Sequence, residues 1–207
     1  MVEPVGTATK ILVGNLGAVL CREALYSQRP SRHICGYCAR RVKQKHMSIA
    51  YLSLGSNIGD REAHLREAIE RLGGTGRVTA VSSFYETEPV EFTRQAWFLN
   101  CVVALETAWI PQELMARLLV IEGEMGRQRT QKKGPRTIDI DILLFGDSII
   151  DTSDLKIPHP AMTQRRFVLE PLAEIASDMQ HPMMKKSIRE LLKDLPPGQA
   201  VKRTKEK

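Results

Sequence analysis

The sequence predicts an α+β domain in three layers, a mostly antiparallel sheet with helices on both faces. Three observations point there. Between Ser48 and Phe145, apolar patterns of period two and of period 3.6 follow in the order strand, helix, strand, strand, helix, strand. Each helical pattern is apolar along one face only, so each helix can cover one side of a sheet. Two more helical segments follow, around Gln164–Glu170 and Ser187–Leu195, and are available to the other side.

Each element has its own warrant. Ser48–Leu54 alternates as a strand and is broken by Gly55-Ser56-Asn57. Asp60 can cap a helix that sets Leu65, Ala68, Ile69 and Leu72 on one face and closes at Gly73-Gly74. Arg77–Tyr85 is a second strand, rich in β-branched and aromatic residues. The polar loop "ETEPVEFTRQA" leads to a third strand, Trp97–Thr107. Pro111 fits the first turn of a helix with Leu114, Leu118 and Ile121 on its apolar face, ended by Gly126. Thr137–Phe145 is the fourth strand. This order is the split βαβ, a ferredoxin-like βαββαβ core.

Charge is segregated along the 207 residues. The chain holds 30 Lys+Arg and 24 Asp+Glu, and residues 1–46 hold eight and two of these, leaving 22 of each sign beyond. The folded part is therefore neutral, which removes the main support for a nucleic-acid partner. No run approaches the ~18 apolar residues of a membrane helix, so no membrane partner is expected. Three of the four cysteines (Cys21, Cys35, Cys38) precede Met47, and Cys101 stands in an apolar run. That is no disulfide framework, and it points to a reducing cytoplasm. Residues 1–46 lack periodicity and precede a start-like "MSIAYLSLGSN", so they are expected to be a disordered or non-native extension. A basic targeting peptide and a zinc site at "HICGYC" remain open for that stretch. The domain is expected over 47–195, with a flexible basic tail over 196–207.

The stretch "GPRTIDIDILLFGD" raises a chemical question. On a strand, Ile138, Ile140 and Ile142 share one face while Asp139 and Asp141 share the other, with Cα atoms ~6.6–7 Å apart. Two carboxylates that close repel unless something positive lies between them. The preceding "GRQRTQKKGPR" carries Arg127, Arg129, Lys132, Lys133 and Arg136 and no acid. Magnesium takes one or two carboxylates plus substrate phosphates, and guanidinium groups neutralise the remaining phosphate charge. Together these features point to a polyphosphate held between metal and arginines. There is no G-x-x-x-x-G-K-[ST] loop, so this is not a P-loop enzyme.

With "LGSNIGD", "SSFYETEP", "FLNCVVALET", "GRQR" and "IPHPAMTQRRFVLEPL" in the same order, the chain resembles the 6-hydroxymethyl-7,8-dihydropterin pyrophosphokinase family from about Met47 to Leu195. The resemblance implies pyrophosphoryl transfer from ATP to the pterin hydroxymethyl group, leaving AMP, as a step of folate biosynthesis. It implies that Asp139 and Asp141 hold two Mg2+ ions on the ATP phosphates, contacted by Arg127 and Arg136. Glu122, Arg129, His159 and Arg165 match positions around ATP. Gly55, Asn57, Thr87, Glu88, Pro89, Val90, Phe98, Asn100 and Phe167 match positions around the pterin. A monomer acting on these two small molecules is expected. Two positions depart from some relatives, which carry aromatics there: Lys133 before Gly-Pro-Arg, and Pro160 after Pro-His. The rival readings are an RNA-binding sheet, whose aromatic signature is absent, and a ligand-sensing domain, against which the paired aspartates and loop arginines argue.

Overall fold

The computed structural model describes residues 46–89, 96–127, 134–198 and 200–204. The expectations for residues 1–45, and those on Val90, Arg129, Lys132 and Lys133, lie outside the described residues. The core runs β1 (Ser48–Ser56), α1 (Arg61–Leu72), β2 (Arg77–Val81), β3 (Tyr85–Thr87), β4 (Phe98–Thr107), α2 (Pro111–Glu124) and β5 (Asp139–Phe145). Asp60 caps α1, its side chain accepting from Ala63 N at 3.0 Å. Pro111 opens α2, and Gly126 follows its end at φ 81°, a left-handed value that suits glycine. A short pair, β6 (Ile150–Asp151) and β7 (Lys156–Ile157), leads through a 3-10 turn at Met162–Gln164 to α3 (Arg166–Ala176) and α4 (Ile188–Asp194). A last strand, β8 (Val201–Arg203), closes the described chain.

The six-stranded sheet has the order β5-β1-β4-β3-β8, with β2 also on β4, and its pairings are antiparallel. Its two faces bury separate cores. Leu52, Leu54, Cys101, Val103, Ile140 and Ile142 pack against Leu65 and Leu72 of α1 and Leu114 and Leu118 of α2. Val102, Leu143 and Leu144 pack on the other side against Val168, Leu169 and Leu172 of α3 and Ile188 and Leu191 of α4. This is the expected three-layer α+β arrangement. Each fully buried leucine contributes about 1.5–3 kcal/mol, so both helical layers are held mainly by apolar burial.

Three local expectations need correction. The strand expected over Arg77–Tyr85 is divided. Ser82 N donates to Val102 O, and Val102 N donates to Ser82 Oγ, each at 2.9 Å. A side chain thus takes the place of a backbone carbonyl, and the chain leaves the pleat before β3. The helix expected around Gln164–Glu170 starts later and continues through Pro171. The tail expected to be flexible over 196–207 contains β8, which fills the open edge of β3.

One irregularity positions the site. The β1–β5 register shifts between Tyr51 and Leu52, so Leu143 is an extra residue on β5. Leu143 and Leu144 both enter the α3-side core, and Leu143 O accepts from His159 N at 2.9 Å.

Candidate active site

Residues opposed across antiparallel strands share a face. Asp139 lies opposite Gly55, which lies opposite Asn100, and Asp141 lies opposite Ser53. All five therefore stand on the α3 side of the sheet. A cavity of about 310 Å³ opens there, within the range of small-molecule sites. Its charged half is lined by Asp139, Asp141, Arg127, Arg136, His159 and Arg165. Its other half is lined by Gly55, Thr87, Glu88, Pro89, Phe98, Asn100 and Phe167. Residues from β1, β3, β4, β5 and α3 thus converge on one space.

The charged half is internally paired. Arg127 Nη1 is 2.7 Å from Asp139 Oδ1, and Arg136 Nη1 is 2.5 Å from Asp139 Oδ2. Arg136 Nε is a buried donor with no partner among the described residues. Asp141 is held protonated to unusually high pH, its pKa pushed up to about 6, first by burial and then by the negative charge of Asp139. His159 is shifted the other way: burial, and then the Arg165 cation, lower its pKa. Its Nδ1 accepts from Ala161 N at 3.2 Å, so the neutral ring carries its proton on Nε2.

The apolar half has fixed geometry. Asn100 Nδ2 donates to Thr87 Oγ1 at 2.6 Å, and both residues are buried. A Cβ at Gly55 would lie 2.6 Å from Asn100 Oδ1, so only glycine leaves that amide its place. Phe98 and Phe167 each carry a nearby guanidinium, Arg136 at 5.8 Å and Arg165 at 5.6 Å from the ring centroids.

Two expected residues serve behind the cavity wall. Asn57 Oδ1 accepts from Arg136 N at 2.8 Å, and Asn57 N donates to Arg136 O at 3.2 Å. It braces the segment that carries Arg136. Glu122, 2% exposed, accepts from Ile140 N at 2.8 Å and pairs with Arg127. It ties α2 to the outer edge of β5, and burial raises its pKa. One lining residue was missed by sequence reasoning. Ser53 borders the cavity, and only its strand register against Asp141 signals it.

The paired carboxylates suit a hard divalent cation. Among the described residues no group of three or more potential ligands surrounds a common point. Two carboxylates alone match magnesium, which completes its shell with substrate phosphates and water. The partnerless donor of Arg136 suits an anion beside it. No helix of the described residues is long and apolar enough to cross a membrane.

Known proteins resemble the chain in sequence and in fold. The sequence model of the 7,8-dihydro-6-hydroxymethylpterin-pyrophosphokinase (HPPK) family matches residues 51–177. A 2-amino-4-hydroxy-6-hydroxymethyldihydropteridine pyrophosphokinase of Bacillus subtilis is 50% identical over 135 residues, covering 64% of this chain and 81% of that protein. The protein of the same name from Aquifex aeolicus is 42% identical over 144 residues, covering 70% and 90%. The fold is similar to that of Plasmodium falciparum HPPK-DHPS, wild type with STZ-DHP, at a TM-score of 0.59 and 18% identity, over 72% of this chain and 43% of that one. On its family match and its two bacterial relatives, the chain belongs to the HPPK family.

Proposed function

We infer that the chain transfers the pyrophosphoryl group of ATP to the hydroxymethyl group of 6-hydroxymethyl-7,8-dihydropterin, releasing AMP, in folate biosynthesis. The observation that carries this reading is one cavity with two unlike halves. Paired carboxylates and guanidiniums line one half, and two phenylalanines and a buried amide line the other. In this reading Asp139 and Asp141 hold magnesium, two ions in number. Bound there, magnesium would polarise the phosphate oxygens and stabilise the attacking and leaving oxygens of an in-line displacement. Arg127, Arg136 and Arg165 neutralise phosphate charge, and His159 Nε2–H donates to the nucleotide. Asn100 and Thr87 read the polar edge of the pterin, while Phe98 and Phe167 stack on its faces. Glu122 and Asn57 hold Arg127 and Arg136 in place. The enzyme acts as a monomer in a reducing cytoplasm, where the buried free thiol of Cys101 is stable.

Incubation of the full chain with ATP, magnesium and the reduced pterin should release AMP in step with pterin consumed. ADP as the product would mean transfer of the γ-phosphoryl group alone. No pterin-dependent nucleotide product would sink the reading.

The pterin half makes its own prediction. Gly55→Ala forces Asn100 Oδ1 aside. Pterin affinity should fall by about ten- to a hundredfold, the effect of about 1–3 kcal/mol from a misplaced buried polar group. Affinity for a magnesium–ATP analogue should change far less. Calorimetric titration of each ligand decides the matter, and equal losses would place Asn100 outside pterin recognition.

A further inference from the structure

We propose that the C-terminal strand β8 is a positioning element of the pterin pocket, clamping the wall that carries Thr87 to the helix that carries Phe167. The proposal rests on the functional reading above. β8 lies beyond the residues 51–177 that match the family.

The clamp has a backbone part and a side-chain part. Arg203, Lys202 and Val201 pair with Tyr85, Glu86 and Thr87. The zipper continues past both ends of β3. Glu88 N donates to Ala200 O at 3.2 Å, and Thr204 N donates to Phe84 O at 2.8 Å. The chain from Phe84 to Glu88, which leads into the cavity wall, is thus tied to the C-terminal segment along its length. Arg203 then reaches away from the strand. Its Nε donates to Ser83 Oγ at 2.8 Å, and its Nη2 donates to Glu174 Oε1 at 3.0 Å. Glu174 also accepts from Ser83 N, Ser83 Oγ and Tyr85 OH, at 2.9, 2.8 and 3.0 Å. It stands on α3 seven residues after Phe167, two helical turns along the same face.

The consequence for the pocket follows from its walls. Thr87 accepts from Asn100, so a shift of β3 is passed to the amide that faces the ligand. Phe167 lies in the first turn of α3, so the Glu174 contacts hold the helix that carries it against β3 and β8. Lys202 Nζ adds a cation–π contact, 5.4 Å from the ring centroid of Trp97, the neighbour of Phe98. Asp139 and Asp141 lie on β5, at the opposite edge of the sheet from β8. The clamp should therefore act chiefly on pterin affinity, since of the nucleotide-side residues only Arg165 adjoins α3.

The test compares the full chain with a chain ending at Gly198, with Arg203→Ala, and with Lys186→Ala. The last removes only an exposed ion pair with Asp194. Each protein is titrated with 6-hydroxymethylpterin in the presence of a magnesium–ATP analogue, and separately with that analogue alone, and its melting temperature is recorded. Truncation should raise the pterin Kd by about tenfold, equivalent to about 1.4 kcal/mol. Arg203→Ala should move it the same way by less, and Lys186→Ala not at all. The analogue's Kd should stay within about twofold of the full chain's, since a strand that only positions one wall leaves the other half preorganised. Unchanged pterin affinity in both β8 variants would overturn the clamp. So would parallel losses of pterin and nucleotide affinity, which mark a purely structural role. If the truncated chain does not fold, Arg203→Ala alone decides by the same two criteria. Failure of the full chain itself to bind the pterin would overturn the functional reading and the clamp with it, a result distinct from normal binding by both variants.

Discussion

Asp139→Asn and Asp141→Asn should each lower kcat by on the order of 10²–10³-fold, the scale on which electrostatic stabilisation of a transition state is lost. Asn matches the shape of Asp and withdraws the charge that a divalent cation needs. Both variants should fold, because the two aspartates face the cavity while Ile138, Ile140 and Ile142 on the opposite face carry the core. For Asp141→Asn the stability effect should run opposite to the activity effect, whereas Asp139→Asn removes the partner of Arg127 and Arg136. The Asp141 carboxyl ionises near its ordinary 3.8 in the unfolded chain and near about 6 in the fold, raised first by burial and then by Asp139. Metal-free wild type therefore loses stability as pH rises from 3.8 to about 6, and the loss persists above that window. Asn does not titrate, so Asp141→Asn in chelator should melt above wild type at neutral pH, and the gap should close below 3.8. Thermal melts across pH, with kcat measured in magnesium, check both halves. Near-wild-type turnover in either variant would make that carboxylate a bystander.

Arg136→Ala should cost on the order of 10³-fold in kcat, the lower end of what an arginine supplies to phosphoryl-type transition states. Arg136 and Arg127 each hold one oxygen of Asp139 through Nη1, and Arg136 keeps its buried Nε free of any partner among the described residues. Arg136 is the cleaner target, because removing Arg127 strips a partner from buried Glu122. Arg136→Lys should restore only part of the rate, since an ammonium cannot reproduce the planar fork of donors. Steady-state kinetics alongside binding of a magnesium–ATP analogue separates rate from affinity. Wild-type kcat in Arg136→Ala would reduce this residue to a counter-ion of Asp139.

Much of the fold was legible because its signals are local. Asp60 caps α1, Pro111 opens α2, and the IDID alternation puts carboxylates and core on opposite faces of β5. What escaped depends on partners distant in sequence. The break after β2 arises from Ser82 Oγ meeting Val102 N, and nothing near Ser82 announces that encounter. β8 has no apolar pattern of its own, and it is a strand because the edge of β3 is open to it. The candidate site divides in the same way. The cavity-lining aspartates, arginines and phenylalanines were legible as types in motifs. Ser53 was not, because it borders the cavity only through its register against Asp141. Nor was the placement of Asn57 and Glu122 behind the wall, which rests on backbone amides at Arg136 and Ile140.

The β6–β7 excursion is pinned at both ends. Gly146 N donates to Ile49 O at its start, and His159 N donates to Leu143 O at its finish, each at 2.9 Å. Leu155 and Ile157 anchor its underside in the core, whereas Ser153 and Asp154 at its tip are exposed. His159 thus takes its position from the bulge on β5 and owes nothing to the length of the hairpin. The tip is a natural port for cargo: a reporter peptide or affinity handle spliced between Ser153 and Asp154 lengthens a loop whose closure cost grows only with the logarithm of its size. Neither Ser153 nor Asp154 lines the cavity, so such a handle would tether the protein without altering the cavity's walls.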